Sequence, residues 1–257
     1  MKQCKHCHSD NRDEAHFCKH CGKPLPADEG REFADFYAKD NLMTEINKFR
    51  DRVKAAAQLK ANGANVHIQM DCVVVGKAGT GKHFVADWLA NLLVREGIVN
   101  ASGVKTIDAA EFQFWMDEFD NNLEAIRGGV LILNNVQKLL PEGDASDVND
   151  LDRLFARMRS DAGKMPIIIM TGLRRGFEEF LAKNQDVASL FEFRFDLVPF
   201  DELALCDVCA NILKKKYKLM MSSEARTKLR GHFEWCMRKG DGIEGNGHLA
   251  DQKAEDM

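Results

Sequence analysis

At 257 residues the chain is long enough for one large domain or two smaller ones around a buried core. Its 45% hydrophobic and 30% charged residues are those of an ordinary globular protein and not of a disordered chain. Against 40 Asp and Glu, 36 Lys and Arg leave a net charge of −4, which excludes the strongly basic footprint that duplex nucleic acid selects.

The N-terminus is polar, with no apolar stretch of the kind a secretory signal needs. The longest apolar runs, Val130–Leu133 and Pro166–Met170, fall far short of the roughly 20 residues that span a bilayer. The expectation is a cytoplasmic protein with no membrane segment. In a reducing compartment its 8 Cys are expected as thiols and metal ligands, not disulfides.

Residues 1–26 read as a zinc ribbon. Cys4-Lys5-His6-Cys7 and Cys18-Lys19-His20-Cys21 are two C-x2-C pairs, and Gly22 follows the second. Each pair fits a tight knuckle that aims two thiolates at one ion, and two knuckles close a tetrahedral sulfur site that suits zinc. His6, His8, His16 and His20 are alternative ligands for one thiolate position. So short a piece has too little apolar surface to fold alone, so the metal would supply the folding energy. A closed four-sulfur site has no open coordination position, so the ribbon implies docking and not catalysis. Lys2, Lys5, Arg12, Lys19 and Lys23 are offset by Asp10, Asp13 and Glu14, which makes nucleic acid a weak candidate partner.

Residues 27–62 read as a linker followed by one or two amphipathic helices, with Phe33, Phe36, Tyr37, Ile46, Phe49, Val53 and Leu59 at helical spacing. From residue 63 to 200 strands and helices alternate. Strands are expected at 72–75, 103–107, 130–133, 166–170 and 193–197, and helices at 82–95, 109–126 and 148–160. Continuous apolar strands between helices predict an α/β fold, a five-stranded parallel sheet covered on both faces. Residues 201–238 read as two helices of a small helical lid, and 240–257 as Gly-rich and then charged. Cys206 and Cys209 share one face of the first of these, where core packing is the better reading than metal. Cys72 and Cys236 read as small buried hydrophobes.

The segment Gly76-Lys77-Ala78-Gly79-Thr80-Gly81-Lys82-His83 follows the first strand and opens a helix. In that setting the glycines let backbone N–H groups wrap a phosphate, the helix N-terminus adds its positive end, and Lys82 adds a charge. ATP or ADP is the expected ligand. The eighth position should carry a hydroxyl for magnesium, a hard ion that wants oxygen, and His83 has none. The third strand runs into Asn134-Asn135, where a working phosphate-loop ATPase has an acid for magnesium and then a Glu that activates water. An amide is no general base near neutral pH. Asp144 and Asp147, in the loop after Pro141, are alternative acids.

These features resemble the AAA+ ATPases of the CbbX and stage V sporulation protein K group, over roughly residues 41–251. The resemblance includes the phosphate loop, Gly128-Gly129 before the third strand, and Ile168-Ile169-Met170-Thr171-Gly172-Leu173. It continues through Phe180-Leu181-Ala182-Lys183-Asn184, Asp201-Glu202-Leu203 at the entry to the lid, and Gly245-Asn246-Gly247 before its last helix. It implies nucleotide binding, sibling AAA+ subunits or another protein partner, and a homo-oligomeric ring. The departures are as informative. The Arg that reaches a neighbour's nucleotide falls at Leu190, and the lid Arg falls near the acid Asp251. Arg194, on the next expected strand, is a candidate substitute for the first. The aromatic cluster Phe112–Met116 stands where the group grips substrate in a pore, or packs in the core. With six residues after Asp251, the lid at 201–257 reads as incomplete.

Loss of a general base costs about 10²–10⁴ in rate, and loss of an arginine finger about 10³–10⁵. The expectation is therefore a degenerate AAA+ module, a pseudo-ATPase acting as a regulatory or scaffolding subunit or as the inactive half of a tandem ATPase. The rival readings are an active AAA+ ATPase that remodels a protein client, and a zinc-ribbon nucleic-acid-binding protein.

Overall fold

Five short runs rich in Val, Ile, Leu and Phe build one parallel sheet in the computed structural model. The structure describes residues 40–63, 69–139, 149–161, 165–183, 185–239 and 246–255, with residues 2–3, 9–11 and 20 of the N-terminal segment. In that segment β1 (Lys2–Gln3) pairs antiparallel with β2 (Asp10–Asn11). The large sheet comprises β3 (Cys72–Gly76), β4 (Val104–Asp108), β5 (Val130–Asn134), β6 (Ile167–Leu173) and β7 (Phe193–Leu197), in the order β4-β5-β6-β3-β7. All its neighbours are parallel, with Val74 opposite Thr171 and Phe195, and Asp108 opposite Asn134.

Alternate side chains along β3, β5 and β6 enter two separate cores. Cys72, Val74, Ile132, Ile169 and Phe195 face one side, while Val73, Val75, Leu131, Leu133, Ile168 and Met170 face the other. Both faces being buried explains why these strands read as continuous apolar runs. On the first face lie α1 (Asp40–Ala61) and α2 (Lys82–Arg95). Ile46, Phe49 and Val53, spaced three and four apart, are fully buried, and Phe49 meets Phe193 edge-on at 5.0 Å. The opposite face is covered by α3 (Ala109–Asp117), α4 (Phe119–Ala125), α5 (Asn149–Ser160), α6 (Arg174–Lys183) and the short α7 (Gln185–Ala188).

The expected helix over 109–126 is two helices, broken at Glu118, where φ is −113° and ψ 38°. Asn122 donates its side-chain amide to the Trp115 carbonyl at 2.8 Å, and Phe119 packs edge-on against Trp115 at 5.7 Å. The break lets both aromatics enter the core. Beyond β7, α8 (Glu202–Ile212) is capped by Asp201, whose carboxylate accepts from the Ala204 N–H at 2.8 Å. After a π-helical turn, Leu213–Tyr217, come α9 (Ser223–Lys239) and α10 (Asn246–Glu255) of the helical lid. The stretch that reads as Gly-rich and charged therefore contains a helix. Its fully buried positions among the described residues are Ala250 and Ala254, with Leu249 partly buried beside them, too little to mark an apolar period.

Candidate functional site

The phosphate loop leaves the sheet at β3, the strand between β6 and β7, and delivers the chain to the start of α2. Gly79 and Gly81 have φ of +67° and +82°, conformations that a side chain disfavours. Gly81 sits at the N-cap of α2, and no acidic residue lies in that helix's first turn. The positive end of the helix is thus open to an anion. The loop is tied internally at the Lys77 carbonyl, which accepts from Thr80 Oγ1 at 2.9 Å and from Lys82 Nζ at 2.7 Å. Thr80 is fully buried and Lys82 is 7% exposed. Burial pushes the Lys82 ammonium below the ordinary lysine range, so an anion that restores its charge balance would be favoured there. His83 is exposed on α2.

The ends of β4, β5 and β6 form the other wall. Asn134 is 9% exposed and Thr171 fully buried. The Thr171 hydroxyl donates to Asn134 Oδ1 at 2.9 Å and accepts from the Asn135 N–H at 3.3 Å. Asn135 adopts φ +60°, and its side-chain amide donates to Asp108 Oδ2 at 2.5 Å. The other oxygen of Asp108 accepts from the Ala110 N–H at 3.0 Å and caps α3. Lys138 approaches the same oxygen at 3.7 Å. The Ala110 N–H above all, then the Asn135 amide and the charges of Lys138 and His83, hold the Asp108 carboxyl below the usual carboxylate range. Gln137 closes the edge by accepting from the Leu173 N–H at 3.0 Å.

Asp108 and Thr171 do not stand out in the sequence as site residues. The signal for each is a polar residue ending an otherwise apolar or extended run. Their partners, Asn134 and Asn135, are adjacent residues, but the αL turn at Asn135 sends the two amides to different strands. Asn134 reaches β6, and Asn135 reaches the end of β4.

The positions expected to carry arginines lie apart. Leu190 follows α7 and packs against the core of its own chain, while its carbonyl accepts from the Gln69 side chain. Arg194 on β7 is committed within the chain, to Asp196 at 2.9 and 3.0 Å and to Glu178 at 2.6 Å. Those two carboxylates, Asp196 first, hold its guanidinium charge more firmly. Asp251 is exposed on α10. In the aromatic cluster Phe112, Trp115 and Met116 are buried, whereas Phe114 is 76% exposed. Cys72, Cys206, Cys209 and Cys236 are free thiols buried in the structure.

The four expected zinc ligands, Cys4, Cys7, Cys18 and Cys21, lie outside the described residues, as do Asp144 and Asp147. Among the described residues no group of three or more His, Cys, Asp and Glu is placed to hold a metal ion. Nor is any helix of these residues long and apolar enough to cross a membrane.

Residues 3–25 match the model of the zinc-ribbon domain. The chain is similar to the ESX-3 secretion system protein EccA3 of Mycolicibacterium smegmatis, 23% identical over 193 residues that cover 72% of this chain and 32% of that protein. It is also similar to the ESX-1 secretion system protein EccA1 of Mycobacterium leprae, 23% identical over 236 residues, covering 83% of this chain and 40% of that protein. The matched stretch is thus less than half the length of either relative. Among solved structures, the FIGL-1 AAA domain superposes with a TM-score of 0.49 at 13% identity, over 72% of this chain and 61% of that one. The likeness is to EccA secretion system proteins, and residues 3–25 of this chain match the zinc-ribbon domain.

Proposed function

We propose that the chain is an AAA+ ATPase-like module that binds ATP or ADP without turning it over, and that it serves as a regulatory or scaffolding subunit beside protein partners. The observation that carries this reading is the use made of the two amides at the end of β5. Asn134 is bonded to Thr171, and Asn135 to Asp108. Neither residue has a carboxylate to offer a cation or a water, and both are fixed as structural links between strands.

The neighbouring acid does not supply the missing group. Both oxygens of Asp108 accept hydrogen bonds, and its depressed pKa makes it a poor base. Binding is supported by different features, the glycine conformations of the loop, the open start of α2 and Lys82. A nucleotide's phosphates would rest on the amides of residues 77–83, with Lys82 turning from the Lys77 carbonyl to a phosphate oxygen. Magnesium fits less well. It wants hard oxygen ligands, and His83 and Asn134 supply an imidazole and an engaged amide in place of a hydroxyl and a carboxylate.

The narrower grouping with CbbX and stage V sporulation protein K, a cytoplasmic location, and assembly with sibling subunits or into a ring belong to the same proposal. So does zinc held by Cys4, Cys7, Cys18 and Cys21, for which four thiols in paired knuckles are the right donor set. The EccA relatives are secretion system proteins, which agrees with a protein partner for this chain.

Calorimetry with ATP, with and without magnesium, tests the reading. Binding that changes less than tenfold between the two conditions, and falls at least tenfold in Lys82→Ala, is expected. A gain of tenfold or more from magnesium would overturn the assignment of His83 and Asn134.

A further inference from the structure

Amides in the first turn of an α-helix have no acceptor within the helix. At the start of α10 one of them finds an acceptor elsewhere in the chain. The Gly247 N–H donates to the carbonyl oxygen of Gly79, in the phosphate loop, at 3.0 Å. The approach is main chain on main chain. A Cβ on residue 247 would stand 2.2 Å from that oxygen, 3.3 Å from the Gly79 carbonyl carbon and 3.5 Å from a ring carbon of Phe200. Two of these three are backbone atoms of a loop already held at Lys77, and they cannot swing aside as a flexible side chain would.

The carbonyl and the following N–H of a trans peptide point in opposite directions. Pinning the Gly79 oxygen toward α10 therefore fixes the Thr80 N–H on the side away from the lid. α10 is itself seated on α8, with Ala250 and Ala254 buried. The lid thus reaches the loop through a stiff element.

We propose that Gly247 is a positioning residue, whose amide latches the phosphate loop to the lid so that the seating of α10 sets the orientation of the loop's amides. Any side chain at 247 forces the lid off the loop. The consequence for ligand residence rests on the nucleotide-binding reading above; the latch itself does not.

Hydrogen exchange on the full chain without nucleotide tests the latch. In the wild type the Gly247 amide should exchange at least tenfold more slowly than a free amide, despite its first-turn position. In Gly247→Val the amide of residue 247 should lose that protection and exchange at least tenfold faster while β3, β5 and β6 are unchanged. A fluorescent ATP analogue should leave the variant at least tenfold faster. A wild-type Gly247 amide exchanging at the free rate, or an amide at residue 247 still protected in Gly247→Val, overturns the latch. If Gly247→Val does not fold, the wild-type amide decides alone. If the wild type binds no ATP analogue, the nucleotide-binding reading fails, and the exchange data still judge the latch.

Discussion

Thr171 and Asn134 are joined across β6 and β5 by a hydrogen bond of 2.9 Å, with Thr171 fully buried and Asn134 9% exposed. The same hydroxyl accepts from the Asn135 N–H at 3.3 Å, so one side chain satisfies both residues at the end of β5. Val has the shape of Thr without the hydroxyl. Thr171→Val should therefore leave a buried amide oxygen and a backbone N–H without their partner, at a cost of about 1–3 kcal/mol. Thr171→Ser keeps the hydroxyl and should lose less. Chemical denaturation of the two variants compares them directly, and equal stability would mean that the hydroxyl is not what holds this edge.

At the opposite end of the strands, before β3, Asp71 accepts from the Ile168 N–H at 2.7 Å. Burial raises its carboxyl from 3.8 to about 6, against smaller lowering effects of the N–H groups of Ile168 and of its own residue. A group whose pKa is raised in the folded state holds its proton more tightly there than in the unfolded chain. Its contribution to stability is full below about pH 4 and is lost as pH rises through about 6. The span corresponds to about 3 kcal/mol, with stability flat in this group above pH 7. Asn can still accept from Ile168 through its carbonyl oxygen and carries no charge. Asp71→Asn should flatten the pH dependence between about 4 and 6 and stabilise the fold at pH 7 by about 1–3 kcal/mol. Denaturation midpoints at several pH values read both effects, and a variant destabilised at pH 7 would contradict the assignment.

At the N-terminal segment the expectation is one zinc per chain. Metal analysis after reducing purification should show it, and the double variant Cys4→Ser, Cys18→Ser should lose it. Chelation should leave the melting transition of the α/β core in place, because that core is built from α1 onward and from the strands of the large sheet. An equimolar zinc content that survives the double variant would move the ligands elsewhere.

The centre of the sheet was legible because β3, β5 and β6 are buried on both faces. Val130–Leu133 and Ile167–Met170 leave no polar alternation to misread, and the α2 period through Val85, Leu89, Leu92 and Leu93 is equally plain. The helix break at Glu118 was not legible. It follows from the Asn122 bond to Trp115 and the packing of Phe119, which exist only once the aromatics share a core. α10 was hidden in composition because Ala250 and Ala254 are its buried face, and the resemblance, not the apolar period, points to a last helix there. At the site, the loop and the amides at 134 and 135 stand out by motif and position. Asp108, Thr171 and Gly247 do not, because each acts through a partner 27 or more residues away in sequence: Asn135, Asn134 and Gly79.

The Asp108–Asn135 pair sets the terms on which hydrolysis could be restored. The wild-type chain should show no ATP turnover above a Lys82→Ala control. The triple change His83→Thr, Asn134→Asp, Asn135→Glu puts back a hydroxyl, a metal-binding carboxylate and a base. Asn134→Asp keeps an oxygen for the Thr171 hydroxyl. Asn135→Glu, however, removes the amide that donates to Asp108 Oδ2 and places a second carboxylate in its reach. Two like charges there raise the cost of ionising either. The triple variant should therefore be less stable than wild type and turn over slowly if at all. Adding Asp108→Asn gives the new Glu an amide to pair with and keeps an oxygen for the Ala110 N–H. This quadruple variant should recover stability and exceed the triple variant in rate. On the proposed assembly an arginine at 190 would serve a neighbour's nucleotide, so Leu190→Arg should then raise the rate further only at concentrations where subunits associate. A rate of about 1 s⁻¹ or more in the unmodified chain would refute the whole reading. A triple variant as stable as wild type would show that Asp108 and residue 135 are not coupled.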